Sequence, residues 1–321
     1  QTRSREEQRR EERVITREEL ADSVLLVNKP SGMTSFDVIS RVRRILDQRK
    51  IGHAGTLDKA ASGLLVVCAG KTTRLSPYFL ERDKAYRGVI QLGAETDTCD
   101  AEGEILRRVD PSFVTDSMIA AAAERFRGEV MQRPPVYSAL KIGGKRASDL
   151  VRAGKDVEVE ERKITINALD VVGFDRSAMT VTIDVSCSKG TYIRSIARDM
   201  GEALGCCGHL KELVRTSSGF FSLDEAVTPG ELSDYLTGHG PMQKRFWRTP
   251  LESVCDMGYM EVNAEGYAKI INGAQFGREA VVRIEGGGRR FAVSDDGKNL
   301  IAIVDVDTDN WQIEYRNVFI R

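Results

Sequence analysis

Histidine and cysteine are scarce in this chain, and those present lack ligand spacing. Of 321 residues only three are His (His53, His209 and His239). The six cysteines include one adjacent pair, Cys206-Cys207, and no CxxC. A zinc site or a disulfide framework is therefore not expected, and the metal content expected is none. No apolar run has membrane length and no signal-peptide pattern is seen, so the expected compartment is the cytoplasm. Aromatic residues make up 7% of the chain and the formal net charge is −1, with a pI near 6.4, so the whole-chain balance gives no argument for nucleic acid. What remains is a 41% hydrophobic, 30% charged sequence. That is enough apolar material to bury one large domain and a small one.

Local charge tells a different story from the sum. Residues 29–50 carry Lys29, Arg41, Arg43, Arg44, Arg49 and Lys50 against Asp37 and Asp47. Residues 133–155 carry Arg133, Lys141, Lys145, Arg146, Arg152 and Lys155 against Asp149 alone. Such patches can neutralise phosphates even in a near-neutral protein, although a single patch is more often solvated surface.

Along the chain, residues 1–22 are mostly Arg, Glu and Gln and read as a charged arm outside the core. A strand is expected at Val24–Asn28, then a Pro/Gly loop, then a helix over Ser35–Leu46. Thr34 and Asp37 fit a capping box for it, and Phe36, Ile39, Val42 and Leu46 form its apolar stripe. Gly52–Gly63 reads as a small-residue loop feeding a strand at 64–69. Further strands are expected at 84–92, 164–174 and 179–187, with a strand or turn near 209–216, and helices at 116–126 and from Gly190 to Leu204. Residues 132–155 form an extended excursion, and 228–250 are helical, then loop. Strands at 280–285, 289–294, 300–306 and 312–320 make a β-rich end, with Gly286-Gly287-Gly288 as a hairpin tip. The organisation expected is an arm at 1–22, a large domain at 23–250 with an insertion at about 132–160, and a small β domain at 255–321.

Two clusters can carry chemistry. The 52–63 loop has neither P-loop nor GxGxxG order, so it is no phosphate cradle. It does set one acid, Asp58, among small residues that let another backbone come close. The second is Cys187-Ser188-Lys189-Gly190-Thr191-Tyr192-Ile193-Arg194, where a strand passes into a helix and Arg194 and Arg198 lie one turn apart. Taken alone, the first could be a bend and the second a surface ion-pair patch.

A run of motifs decides between these readings. Asn28-Lys29-Pro30-Ser31-Gly32-Met33-Thr34-Ser35 is followed by Gly52-His53-Ala54-Gly55-Thr56-Leu57-Asp58, by Ser62-Gly63-Leu64-Leu65 and by Asp83-Lys84-Ala85-Tyr86. Tyr137-Ser138-Ala139-Leu140-Lys141, Ser188 to Arg194, and Gly208-His209-Leu210 with Leu213 and Arg215 then follow. In this order, over residues 24–220, the chain resembles TruB-type pseudouridine synthases. One departure lies beside the acid. The family has Pro-Leu-Ala-Thr-Gly after it, whereas Lys59-Ala60-Ala61-Ser62-Gly63 stands here. Loss of the Pro suggests a looser loop with an altered rate or RNA contact.

The resemblance implies an α+β fold, a mixed, largely antiparallel sheet flanked by helices, followed by a small C-terminal PUA-like β domain. It implies that uridine 55 of the tRNA T-loop is flipped out and converted to pseudouridine, without cofactor, metal or guide RNA. Asp58 would be the nucleophile, able to split one hard step into easier ones. Arg194 would keep that carboxylate charged in a dry site. Tyr86 would stack on the base and assist proton removal, Tyr192 and Leu213 would line the uracil pocket, and His53 would fill the space the base vacates. Lys29, Lys141, Lys145 and Arg146 would contact RNA, the last three from a thumb-like segment. A monomer acting on the T-stem-loop, with no membrane partner, is expected. The rivals are a relative working inside a guide-RNA particle and a non-catalytic RNA-binding protein.

Overall fold

The structure, a computed structural model, describes residues 15–138, 140–155, 157–239, 245–307 and 309–319. The charged arm up to residue 14 and the side chains of Lys141 and Arg146 lie outside this set. Packed structure begins earlier than the sequence reading placed it. Thr16 and Glu19 form a reciprocal capping box over a short helix, Arg17–Leu20, and Ile15 and Leu20 are buried in the core. Two apolar side chains are enough to tie this stretch down.

The architecture is α+β. A ten-stranded sheet carries helices, and a separate five-stranded sheet follows it. In the large sheet the main path runs, by residue, 247–248, 24–29, 62–69, 208–218, 84–92, 180–187, 162–175 and 128–132. The strands 51–54 and 221–222 pair with 62–69 and 208–218. Every pairing is antiparallel except one, where Val214 and Arg215 lie alongside Ser62 and Gly63. The sheet is thus two antiparallel halves joined along a short parallel seam.

Alternation explains how each half packs. In the first half, Leu25, Val27, Leu65 and Val67 point to one face, against Val38, Ile39, Val42 and Leu46 of the Ser35–Leu46 helix. Val24, Leu26, Leu64, Val66 and Cys68 point to the other face, toward Ala292, Leu300, Ile303 and Phe319 of the small sheet. These strands are buried on both faces and read as continuous apolar runs. In the second half one face is covered. Ile90, Ile164, Ile166, Val181, Ile183 and Val185 pack with Ile119, Ile193, Ile196 and Met200 of the Asp116–Glu124 and Ile193–Ala203 helices.

The helix at Ser35–Leu46 and its Thr34/Asp37 capping box stand as expected, but its stripe does not. Val38, not Phe36, completes the buried face, and Phe36 is 67% exposed. Phe36 lies about 100° round the helix from Ser35, off the face that Ser35, Val38, Ile39, Val42 and Leu46 bury. The 132–155 excursion holds a small hairpin, Lys141–Ile142 with Lys145–Arg146, and a helix at Ala147–Arg152.

In the small sheet the order is 281–285, 258–262, 290–294, 300–307, 312–318. The strand Gly258–Val262 and the helix Ala264–Ile271 were not foreseen. That strand lies between Val281–Glu285 and Arg290–Ser294, so the triple glycine is no hairpin tip. It arches over the start of Gly258–Val262, where a Cβ on Gly286 would stand 3.3 Å from Gly258 Cα. The two sheets are also locked by polar contacts. Arg82 forms a forked ion pair with Asp256 at 2.5–2.7 Å, with its guanidinium 4.5–5.0 Å from the rings of Phe79, Phe220 and Phe221. Among the described residues no helix is long and apolar enough to cross a membrane.

Candidate active site

A cleft of about 800 Å³ opens at the parallel seam, where the two half-sheets meet. Its lining includes His53, Asp58, Tyr86, Tyr192, Arg194 and Leu213. These residues come from five separate stretches of chain. Asp58 lies in the turn before Ser62–Ala69, and Arg194 on the first turn of Ile193–Ala203. Tyr86 and Leu213 lie on neighbouring strands. The strand carrying Leu213 has register shifts on both sides of it, between Leu210 and Glu212 and between Arg215 and Ser217. Such bulges re-aim side chains and recur beside active sites.

Asp58 and Arg194 form the electrostatic centre. Arg194 Nε stands 3.0 Å from Asp58 Oδ2. The Nε–H does not aim at that oxygen, so this is an ion pair and not an aligned hydrogen bond. The guanidinium is only 8% exposed, and its Nη1 donates to the carbonyls of Thr98 and Tyr137, both at 3.1 Å. The Asp58 side chain is 49% exposed. The dry setting expected for it is absent from the open cleft, and burial of the cation, not of the acid, fixes the pair.

The turn that carries Asp58 is held by its neighbour segment. Gly32 N–H and Lys29 Nζ donate to the Lys59 carbonyl at 2.9 and 3.2 Å, and Ser31 Oγ to the Ala60 carbonyl at 2.7 Å. Ser35 Oγ accepts from Leu57 N–H at 3.0 Å and donates to its carbonyl at 3.2 Å. Lys59 therefore anchors the turn through its backbone, and the loosening expected from loss of a Pro is offset by these contacts. Lys29 corrects the sequence reading. It is fully buried, and Nζ also donates to the carbonyls of Pro30 at 3.0 Å and Met33 at 2.5 Å. An enclosed ammonium with three carbonyl partners is not available to an RNA phosphate. Burial pulls its pKa below the usual lysine range. The thumb-like hairpin places Lys145 in the open, as a phosphate contact requires.

Arg215 organises the floor. It is 2% exposed, donating from Nε to the Leu64 carbonyl at 2.6 Å and from Nη2 to the Gly55 carbonyl at 3.0 Å. The small residues of the 52–63 loop serve this approach. A Cβ on Gly63, whose φ is +103°, would lie 2.4 Å from the Arg215 carbonyl oxygen. The close backbone is thus the protein's own. The Tyr86 hydroxyl meets the same guanidinium, and burial, opposed by that charge, pushes its pKa up, so the phenol stays protonated at neutral pH. His53 is held neutral at pH 7 by burial and by Arg215.

Three positioning residues were missed by the sequence reading. Asp100, 17% exposed, is a second carboxylate 3.5 Å from Arg194 Nη1. Buried Gln132 makes a reciprocal pair with the Tyr192 backbone, at 2.8 and 3.0 Å. Arg162 lays its guanidinium 4.9 Å from the centre of the Tyr192 ring. Asp100 and Gln132 sit in weakly patterned stretches whose only signal was a polar residue flanking an element end.

Sequence comparisons name the chemistry. The pattern described as "TruB family pseudouridylate synthase (N terminal domain)" matches residues 43–193, and "tRNA pseudouridylate synthase B C-terminal domain" matches 194–254. The tRNA pseudouridine synthase B of Clostridioides difficile is 47% identical over 66% of this chain and 70% of its own. The chain belongs to the TruB family of pseudouridylate synthases. That of Aromatoleum aromaticum is 40% identical over 88% of this chain and 92% of its own. Among solved structures, a chain of a Cbf5-Nop10-Gar1 complex superposes with a TM-score of 0.73, at 24% identity, over 95% of this chain and 88% of that one. This likeness shows the shared pseudouridine synthase fold with its C-terminal PUA-like sheet. As a TruB-family member the protein is an isomerase.

Proposed function

We propose that this TruB-family isomerase converts uridine 55 in the T-loop of tRNA to pseudouridine without a guide RNA, with Asp58 as nucleophile. The observation that carries the reading is the Asp58–Arg194 pair, in one cleft with Tyr86, Tyr192 and Leu213. The relatives are named as tRNA enzymes, and the exposed Lys145 of the hairpin offers a cation for a folded RNA.

The chemistry follows from the residues. The uridine is extruded into the cleft, at a cost of a few kcal/mol for unstacking. His53, neutral on the cleft wall, occupies the space the base leaves. Leu213 packs one side of the uracil, while Tyr86 and Tyr192 offer ring faces. The glycosidic C–N bond breaks, the base turns, and a C–C bond forms through C5. The C5 proton leaves last, to the released Asp58 carboxylate or to solvent, as N1 takes one up; the protonated Tyr86 phenol assists as a hydrogen-bond donor and not as the acceptor. Asp58, paired with Arg194, supplies the electrons for the opening step. The same carboxylate serves attack at C6, attack at C1′, or removal of a ribose proton to give a glycal. Isomerisation is redox-neutral, so no co-reactant is consumed.

The test is to map pseudouridine in bare tRNA transcript incubated with the purified chain and with Asp58→Asn. Wild type is expected to modify uridine 55 without guide RNA. Asp58→Asn is expected to abolish the product while RNA affinity stays within about tenfold, or about 1.4 kcal/mol. Turnover near wild type in that variant rejects the nucleophile. Modification only with added guide RNA favours the guide-dependent reading.

A further inference from the structure

Phe36 is the largest apolar side chain that the core leaves out at the cleft. It is 67% exposed, and it lines the cavity that holds Asp58. The buried face of its helix is complete without it, in Val38, Ile39, Val42 and Leu46. Leu80, 43% exposed, is a second large apolar side chain on the same lining. Exposed apolar surface inside the cleft that holds Asp58 marks a ligand contact better than a scattered surface residue does.

Position strengthens the point. Phe36 follows Ser35, and Asp58 follows Leu57, and Ser35 and Leu57 are tied by a reciprocal pair of hydrogen bonds at 3.0 and 3.2 Å. The backbone that carries the ring is therefore tied to the turn that carries Asp58. Lys59, exposed on the same lining, gives a backbone phosphate beside the ring its counter-charge.

We propose that Phe36 is a stacking platform for an unpaired nucleobase adjoining the reacting uridine. The inference rests on the function proposed above. Flipping one base out of a loop strips its neighbour of a stacking partner, and a phenyl face replaces that partner whatever the base. Alanine substitution at such platforms typically weakens binding by roughly five- to a hundredfold. The residue thus acts on substrate capture and positioning, not on bond making.

The experiment compares wild type with Phe36→Ala, Phe36→Trp and Phe36→Leu on a T-stem-loop RNA, measuring KM, kcat and Kd, with a thermal melt of each variant. Phe36→Ala is expected to raise KM and Kd at least about fivefold, with kcat at saturation within threefold and an unchanged melt. Phe36→Trp is expected to match wild type, and Phe36→Leu, apolar but not flat, to resemble Phe36→Ala. Wild-type KM in Phe36→Ala, or full activity in Phe36→Leu, overturns the platform. A kcat loss at unchanged KM overturns it too. Wild type that makes no pseudouridine in this RNA overturns the underlying function instead, so the two failures are separable.

Discussion

Replacing Lys29 with Met separates two roles that a basic patch in a sequence cannot. The ammonium is enclosed and donates to the carbonyls of Pro30, Met33 and Lys59 at 3.0, 2.5 and 3.2 Å. A hydrogen bond from a charged donor contributes about 1.5–3 kcal/mol, and an orphaned carbonyl costs about 1–3 kcal/mol. Desolvation of the ammonium already offsets part of this gain, as the lowered pKa shows. The net expectation is a loss of roughly 3 kcal/mol, read as a drop of several degrees in Tm. One of the carbonyls that loses the ammonium belongs to Lys59, next to Asp58, and keeps only the Gly32 N–H. A displacement of about 1 Å there lowers kcat by on the order of 10²-fold. Thermal melts, single-turnover kinetics and the salt dependence of RNA binding are the assays. The salt slope is expected to stay as in wild type, because no phosphate contact is removed. A variant with normal Tm and kcat but a salt slope smaller by about one would show Lys29 on a phosphate, and the loop-anchoring argument would fail.

Three other outcomes follow from the same geometry. Arg194→Lys keeps the charge but loses the fork that reaches Asp58 and two carbonyls at once; kcat is expected to fall about 10²-fold or more with KM little changed, and near-normal kcat would show that the fork is dispensable. Gly63→Ala places a methyl 2.4 Å from the Arg215 carbonyl oxygen at a φ of +103°, on the seam joining the half-sheets. It is expected to cost roughly 3 kcal/mol or more in urea unfolding, and a cost below about 1 kcal/mol would refute the contact. Burial and then Arg215 pull the Lys84 ammonium down to about 8, against about 10.4 unfolded. Between these values the unfolded chain holds a proton the folded one has released, so Lys84 makes stability rise with pH by up to about 1.4 kcal/mol per unit. Cys68 and Cys187, pushed up to about 12 and about 11, act in the opposite sense. The reading is therefore the difference between wild type and Lys84→Met over pH 7–10, and parallel curves would refute it.

Much of the site was legible because its residues lie in short, rigid local frames. Asp58 sits between glycines whose spacing announces a tight turn, and Tyr192 and Arg194 lie at a strand-to-helix switch. The Thr34/Asp37 box fixed the start of its helix to the residue, because capping is a matter of local hydrogen bonds. The strands expected at 24–28 and 64–69, and found at 24–29 and 62–69, were visible as apolar runs because both their faces are covered.

The sequence alone determined most element types and the TruB kinship, and singled out Asp58, since these depend on neighbours in the chain. Tertiary structure decided what depends on distant partners. Lys29 became a buried anchor because the Lys59 carbonyl, thirty residues away, comes to meet it. Phe36 left the core because the helix turned Ser35, Val38 and Ile39, and not Phe36, toward the sheet. Gly286–Gly288 became an arch because an unforeseen strand slid between its two flanks. Asp100 and Gln132 gained roles only when folding brought a loop and the end of an edge strand onto Arg194 and Tyr192. Periodicity records which face of an element is apolar, but only closure of the whole sheet determines what stands opposite it.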